Sequence, residues 1–541
     1  MPLAPRRVAL AALVAALALL NASLSFHNIW PTPAIAWSGE LSVECAVALL
    51  LLALVRQLRG SVPRGLVRLA TVAWIAFTIG HYADVTTPAL YGRDINLYWD
   101  LRYMPDVAAM VAAAAPWWLM AAIGAAVVAV LLLLYVVFRW AFSRVATALD
   151  APRTRAAIAG VAAAIVLVFV AQHVTDAIPA RPEFATPVAA TYARQMRLVA
   201  GAMSASMTLP PSPSFDADLS LTRGADVFLI FIEAYGAVAY ERSDIAPYLT
   251  APRAQLDAAV RETGRSAVSA FVESPTFGGS SWLAHISLLS GIEVRDPERN
   301  ARLMTEKRET VVTTFSRNAY RTVALMPGLR QRWPEGAFYG FDETIGAARL
   351  EYGGPEFGWF AIPDQFTLAK FDALEAGRAS RPDLFVFYPT ISTHFPFSPT
   401  PPYQPQWERI FDAHPYDPPS IVRAYAKQPD WTHFAPGYVD AVSYTYATLG
   451  GYLRKHRGRD IVMVVIGDHQ PAAAVSGEGA SWSVPVHVIA SRAAILDRLV
   501  ARRFHAGLTP ARPSLGPMHA LLPVLLDAFG RQTSAPSGEL H

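Results

Sequence analysis

Three segments of the chain end an apolar run of strand length in residues that bind metals or move protons. ADVFLIFIEAYG delivers Glu233, LFVFYPTISTHFPF delivers His394, and DIVMVVIGDHQP delivers Asp468 and His469. Carboxylate and imidazole together suit zinc or manganese, and an adjacent Asp-His pair gives two ligands where a strand has just ended and the chain turns. Each residue alone is weak evidence, because an acidic residue after a strand is about as often a helix cap. A fourth segment, SPTFGGSSWLAHISLLSG at 274–291, adds a nucleophile. Gly278 and Gly279 allow a tight turn, and Ser280 and Ser281 stand just before an apolar helical stretch. A serine there is ordinarily an N-cap. The same position favours a bound phosphate, and a hydroxyl beside a divalent cation is a nucleophile at neutral pH.

The elements that must hold these residues follow from the pattern around them. Helical periodicity near 254–262, 364–376 and 438–455 separates the apolar runs. Buried strands alternating with helices give an α/β/α sandwich with a mainly parallel sheet, and such sheets bind ligands at the carboxyl ends of their strands. Glu233, His394, Asp468 and His469 all fall at such ends and could share one cleft.

The rest of the composition points to a lipid bilayer. Of 541 residues, 53% are hydrophobic and 16% charged, and the excess lies in the first 175. Five stretches, near 7–26, 38–56, 66–85, 117–139 and 155–174, have the length and apolarity of membrane spans. Arginines collect at 6–7, at 56–64 and at 139–155, all on one side, which the positive-inside rule makes cytoplasmic. Five spans then deliver the large domain outside, to the periplasm or cell exterior of a bacterium. The outward loop carries Tyr98, Trp99 and Tyr103 among Arg93, Asp94, Asp100 and Arg102, the mixture of an interfacial anchor. His81, within the third span, reads as a neutral imidazole bonded to another helix. The expected organisation is a transmembrane bundle of five helices over 1–175, an amphipathic interfacial helix and Pro-rich linker over 176–223, a catalytic domain over 224–530 and a loose tail over 531–541. A net charge of +3 with no basic face argues against nucleic acid, and the single Cys45 excludes internal disulfides.

With these residues in place, 224–530 resembles the alkaline phosphatase and sulfatase superfamily. Within it the chain is most similar to the membrane-anchored branch of lipoteichoic acid synthases and phosphoethanolamine or phosphoglycerol transferases. The resemblance implies that FIEAYG carries the metal-binding Glu233, that IGDHQP carries the ligands Asp468 and His469, and that STHFPF carries a substrate-side histidine, His394. In lipoteichoic acid synthases a threonine nucleophile heads T-x-x-x-E-F-x-x-L-T-G; SWLAHISLLSG puts Ser281 on the nucleophile, completing the metal site, and His285 on the glutamate. Ser280 is the alternative if the register shifts by one. Trp333 is retained before GFD, but Glu335 stands where those synthases have an arginine, with Arg330 and Arg332 as substitute charges for substrate binding. The sulfatase maturation signature is absent, since Leu283 and His285 occupy its Pro and Arg positions.

The function so implied is that of an enzyme with one divalent metal ion, zinc or manganese. It moves a phospholipid headgroup, phosphoglycerol or phosphoethanolamine, through a covalent Ser281 intermediate to an extracytoplasmic envelope glycan. A phosphate- or sulfate-ester hydrolase of the same fold is the rival reading, and a non-catalytic sensor a more distant one. The expected location is the bacterial inner membrane, with the catalytic domain outside.

Overall fold

The computed structural model describes residues 3–97, 100–101, 117–174, 183–203, 208–331, 333–378, 380–430 and 432–530. Tyr98, Trp99, Arg102, Tyr103, Arg332 and the 531–541 tail lie outside them. Two compact units emerge, Met1–Ala205 and Ser206–His541.

The first unit holds helices α1 (Leu3–Ala22), α2 (Val43–Arg59), α3 (Arg64–Tyr91), α4 (Trp117–Ala148), α5 (Pro152–Val174) and α6 (Val188–Met203), with a small ladder of β1 (Phe26–Asn28) and β2 (Ile35–Trp37). All five expected spans fall on helices. Among the described residues three of these, α3, α4 and α5, are long and apolar enough to cross a membrane. α1 is a 20-residue helix whose described side chains give an apolar stretch Arg7–Ala22, and α2 has 17 residues. At about 1.5 Å per residue, 17 residues reach about 26 Å, the lower end of what crosses a hydrocarbon core of about 30 Å. Leu13, Ala16, Leu52, Trp74, Phe138 and Phe142 are buried between the helices. His81 Nε2 lies 2.9 Å from the Phe26 carbonyl oxygen, so its partner is a strand and not, as expected, another helix. α6 is pinned along α3: Arg194 pairs with Asp84 at 2.6 Å, and the Tyr192 hydroxyl donates to the Ala76 carbonyl at 2.7 Å. The expected interfacial helix is therefore bolted to a membrane helix at several points.

The second unit is built on an eight-stranded sheet in the order β10-β4-β9-β8-β3-β7-β5-β6. Its strands are β3 (Asp226–Ile232), β4 (Ser266–Glu273), β5 (Arg321–Met326), β6 (Glu343–Gly346), β7 (Leu384–Pro389), β8 (Ile461–Gly467), β9 (Ser483–Ala490) and β10 (His505–Ala506). The five strands β8-β3-β7-β5-β6 run parallel, and antiparallel pairing begins at β9. β3 is buried along its whole length, as a strand covered on both faces must be. Phe228, Ile230 and Ile232 enter one core with α7 (Ala246–Glu262), α9 (Asp364–Phe371) and α10 (Ala435–Lys455). Val227, Leu229 and Phe231 enter the opposite core with α8 (Ser281–Ser290) and α11 (Leu521–Phe529). This is the α/β/α sandwich with a mainly parallel sheet read from the sequence. The helix expected over 364–376 ends at Phe371 and continues as a π-turn, Asp372–Ala376.

Candidate metal and phosphoryl-transfer site

Glu233, Asp468 and His469 are adjacent because β3 and β8 pair in parallel with Ile232 opposite Gly467, so both chains leave the sheet at the same level. The crossing after that point is close. A Cβ on Gly467 would meet the Tyr235 carbonyl oxygen at 1.8 Å, so only glycine lets the two loops pass. Ala234 follows Glu233 at φ 53, a left-handed conformation that costs a non-glycine residue energy and is held by the loops around it. Its N–H donates to Asp468 Oδ1 at 2.8 Å, and Glu233 N–H donates to Thr390 Oγ1 at 3.2 Å.

Ligand atoms of Glu233, Asp468 and His469 lie within 4.8 Å of one another, a group able to hold a metal ion. His469 Nδ1 sits 2.7 Å from the Gln470 carbonyl, which leaves Nε2 facing the carboxylates, 3.4 Å from Glu233 Oε1. Asp468 Oδ2 is buried with no hydrogen-bond partner. A buried carboxylate oxygen is normally satisfied, and one aimed among other ligand atoms is what a divalent cation would complete. The electrostatics agree. Burial and the neighbouring Glu233 charge push the Asp468 carboxyl well above its ordinary range. Burial alone would lower His469, but the Asp468 and Glu233 charges reverse it and lift the imidazole to about 9. Burial likewise opposes ionisation of Glu233, and the His469 hydrogen bond and charge overcome it and hold that carboxyl low. A buried and a half-buried carboxylate sharing one imidazole leave a demand for positive charge.

The nucleophile loop meets this cluster directly. Gly278 and Gly279 have φ 65 and 146, Ser280 adopts φ 61, and Ser281 opens α8. Ser280 occupies the N-cap position, yet its side chain makes no capping bond and is exposed. Ser281 Oγ donates to Glu233 Oε2 at 2.8 Å and lies 3.2 Å from His469 Nε2. Its place at the first turn of α8 also puts it beside unpaired backbone N–H groups and the positive end of the helix dipole.

His394 lies past the end of β7, close enough to Glu233 for its charge to be felt there. Its Nδ1 is 2.7 Å from the Phe395 carbonyl oxygen, and Phe360 packs edge-on against the ring. His285, one turn along α8 from Ser281, is buried between Phe231 and Phe387. Burial lowers it to about 3, so it is a neutral ring. Trp333 stacks on Tyr339 at 5.2 Å, and Arg330 is exposed. Among the described residues, neither is in direct contact with Glu233, Asp468, His469 or Ser281.

Sequence reading missed the residues that position the site. Asp364 is buried and accepts from the Ile391 and Ser392 N–H groups, both at 3.0 Å, and from the Tyr388 hydroxyl at 2.8 Å, fixing the turn that leads to His394. Thr276 Oγ1 donates to the Gly279 carbonyl at 2.6 Å and braces the nucleophile loop.

No protein-family profile matches the chain, and no curated protein matches it. Among solved structures, it is similar to the lipooligosaccharide phosphoethanolamine transferase EptA of Neisseria meningitidis at 12% identity and a TM-score of 0.45, covering 91% of this chain and 88% of that one. It is similar to the lipoteichoic acid synthase LtaP of Listeria monocytogenes at 14% and 0.39, covering 61% and 76%. A protein of the alkaline phosphatase superfamily from Vibrio parahaemolyticus is similar at 15% and 0.38, covering 63% and 77%. Similarity this remote leaves the chemistry to be argued from this chain's own side chains.

Proposed function

We propose that the chain is an integral membrane enzyme that transfers a phospholipid headgroup, phosphoglycerol or phosphoethanolamine, to an extracytoplasmic glycan. The observation that carries this reading is the Ser281 hydroxyl, 2.8 Å from Glu233 and 3.2 Å from His469 at a helix start. Glu233, Asp468 and His469, with the Ser281 oxygen, would hold one zinc or manganese ion, which supplies a lowered hydroxyl pKa and neutralises charge on phosphoryl oxygens.

Ser281 would first give up its hydroxyl proton along its hydrogen bond to Glu233 and on to solvent; in the first half-reaction the deprotonated Ser281 oxygen attacks the lipid phosphorus and the bond to the diacylglycerol oxygen breaks. That oxygen leaves with a proton from His394, whose Nε2 is the ring nitrogen not engaged by the Phe395 carbonyl. In the second half an acceptor hydroxyl returns a proton to His394, bonds to phosphorus and displaces Ser281. Tethering to membrane helices keeps the catalytic unit at high effective concentration near its lipid donor.

Intact-mass measurement of the full-length protein after incubation with bacterial phospholipids tests this. A headgroup-phosphate adduct on Ser281 and released diacylglycerol are expected, and both vanish in Ser281→Ala. Ready turnover of soluble phosphate or sulfate esters with no diacylglycerol released would replace transfer by hydrolysis. The reading also needs the five-span bundle, a cytoplasmic amino terminus and an exported domain in the inner membrane. A reporter active only in the cytoplasm, fused after His541, is expected to be silent.

A further inference from the structure

The two faces of α4 differ in kind. Phe138, Ala141, Phe142 and Val145 are buried in the bundle. Turned away from them is a groove of about 510 Å³ whose polar and aromatic walls are Tyr135, Arg139, Trp140, Ser143, Arg144 and Thr147. Positions 135, 139, 143 and 147 recur every four residues, as do 140 and 144, so these side chains share one side of the helix. The chemistry above uses none of them.

The depth of the groove follows from the letters of α4. From Trp117 to Phe138 it carries no charged residue, a length of about 33 Å at about 1.5 Å per residue, which matches a hydrocarbon core of about 30 Å. Trp117 and Trp118 are exposed at one end of that stretch and Trp140 just past the other, where indoles mark the two membrane–water boundaries. The groove therefore starts one turn inside the apolar layer, at Tyr135, and opens among the lipid headgroups from Arg139 to Thr147.

Its charge is unmatched. Arg139 is half-buried and Arg144 exposed, and among the described residues neither has an ion pair or a hydrogen bond. Asp150 is the only acidic residue between 117 and 174, and Arg56 takes it at 2.8 Å. Arg155 is engaged by the Leu149 carbonyl at 3.2 Å. Two guanidinium groups are thus left at the edge of the apolar layer, where a cation without a counter-charge is costly. The anions at that depth are phospholipid phosphates, which a guanidinium takes through paired hydrogen bonds. Ser143, one turn from Arg139, adds a hydroxyl, and Tyr135 and Trp140 offer apolar faces to the first carbons of an acyl chain.

We propose that this face of α4 is a binding site for one phospholipid of net negative charge. A zwitterionic lipid brings its own ammonium against the two arginines, and an anionic lipid does not. The proposal rests on α4 crossing the bilayer and not on the transferase reading.

The test is native mass spectrometry of the full-length protein released from detergent micelles that carry phosphatidylglycerol and phosphatidylcholine in equal amounts. Wild type is expected to retain one phosphatidylglycerol in preference to phosphatidylcholine, less so as salt rises. Arg139→Gln and Arg144→Gln should each lower that retention about fivefold and the double variant about thirtyfold, while lysine at both positions should lose less. Arg153→Gln, at the same end of the bundle but outside the groove, should match wild type. Equal retention of both lipids by wild type overturns the proposal, and that comparison decides even where a variant fails to fold. A double variant within about twofold of wild type overturns it too. An equal loss in Arg153→Gln would make the attraction diffuse, and a wild-type dimer abolished by the double variant would give the groove to a second copy; either removes the site. So does a retained lipid that Asp468→Asn loses and the arginine variants keep, which would belong to the proposed metal cluster. Retention is read without turnover, so Ser281 loading by a protein with no lipid preference removes this site alone, and retention without loading removes the transferase alone.

Discussion

The two ends of the central sheet bury the same kinds of residue in opposite electrical states. At the amino ends of the parallel strands, Asp226 takes Arg381 through both oxygens at 2.7 and 2.6 Å and Arg459 at 2.9 Å. Glu375 takes Arg321 at 2.9 Å, and Asp372 takes His456 at 2.7 Å, Lys455 at 3.1 Å and the Tyr452 hydroxyl at 3.0 Å. At the carboxyl ends, Glu233 and Asp468 share His469, and one Asp468 oxygen, 3.7 Å from that ring, has no hydrogen bond. Burying a carboxylate is costly unless its charge is matched. One end is matched by the chain's own cations, and the other is not, which is the demand the proposed divalent ion would meet. That unmet charge, more than the presence of acidic residues, marks the candidate site.

Substitutions at the two ends should therefore separate activity from stability. The largest effect is expected on activity at the carboxyl end: Ser281→Ala and Asp468→Asn should each lower diacylglycerol release about ten-thousand-fold or more. In chelator, Asp468→Asn should be as stable as wild type or more so, because it keeps the oxygen that accepts from Ala234 N–H and removes one of two facing charges. Thermal unfolding beside a lipid-release assay checks both, and a Asp468→Asn protein that unfolds would erase the contrast. Next in size, Asp226→Ala at the amino end should cost about 3–5 kcal/mol by leaving Arg381 and Arg459 without their partner. Denaturant titration measures that, and a cost below about 1 kcal/mol would mean the pairs are not held as described.

Metal removal sharpens the same comparison at a smaller scale. If the carboxyl-end cluster binds a divalent ion, saturation at about a hundred times its dissociation constant adds about 2.7 kcal/mol to the folded state. Chelation should lower the unfolding temperature of wild type and leave Asp468→Asn nearly unmoved. Equal shifts in both would place the ion elsewhere.

How much of this was visible in the sequence depended on whether a residue announces itself locally. Glu233, Asp468 and His469 did, because several buried strands ending in ionisable residues in one chain are unusual together, although each alone is weak. Ser281 did through Gly278 and Gly279. Asp364 did not: it closes its bonds on Ile391 and Ser392, 27 and 28 residues ahead, and beside Pro363 it looks like an ordinary helix start. The amino-end network was equally hidden, since Asp226 and Arg381 meet only when β3 pairs with β7. The spans were found as helices, but α2 shows how a run of apolar letters overstates the length of the helix that forms.

The smallest effect should come from Asp372, because Lys455 and His456 keep some access to water and Asp372→Asn keeps one acceptor oxygen. Burial raises its carboxyl, and the His456 hydrogen bond and charge with Lys455 outweigh that, so the folded value lies below the ordinary 3.8. A carboxyl depressed on folding contributes stability that is fully present above the unfolded value and is lost as pH falls through the folded one. Asp372→Asn cannot take up that proton. Its penalty, about 2 kcal/mol at neutral pH, should therefore hold steady down to the ordinary carboxyl range and shrink below it as wild type loses the same interaction. Urea midpoints of both proteins across the acidic range give the gap directly, and general acid destabilisation cancels in the difference. A gap that stays constant below the ordinary carboxyl value would show that Asp372 is not kept ionised by His456 and Lys455, and the amino end would then be no better matched than the site opposite.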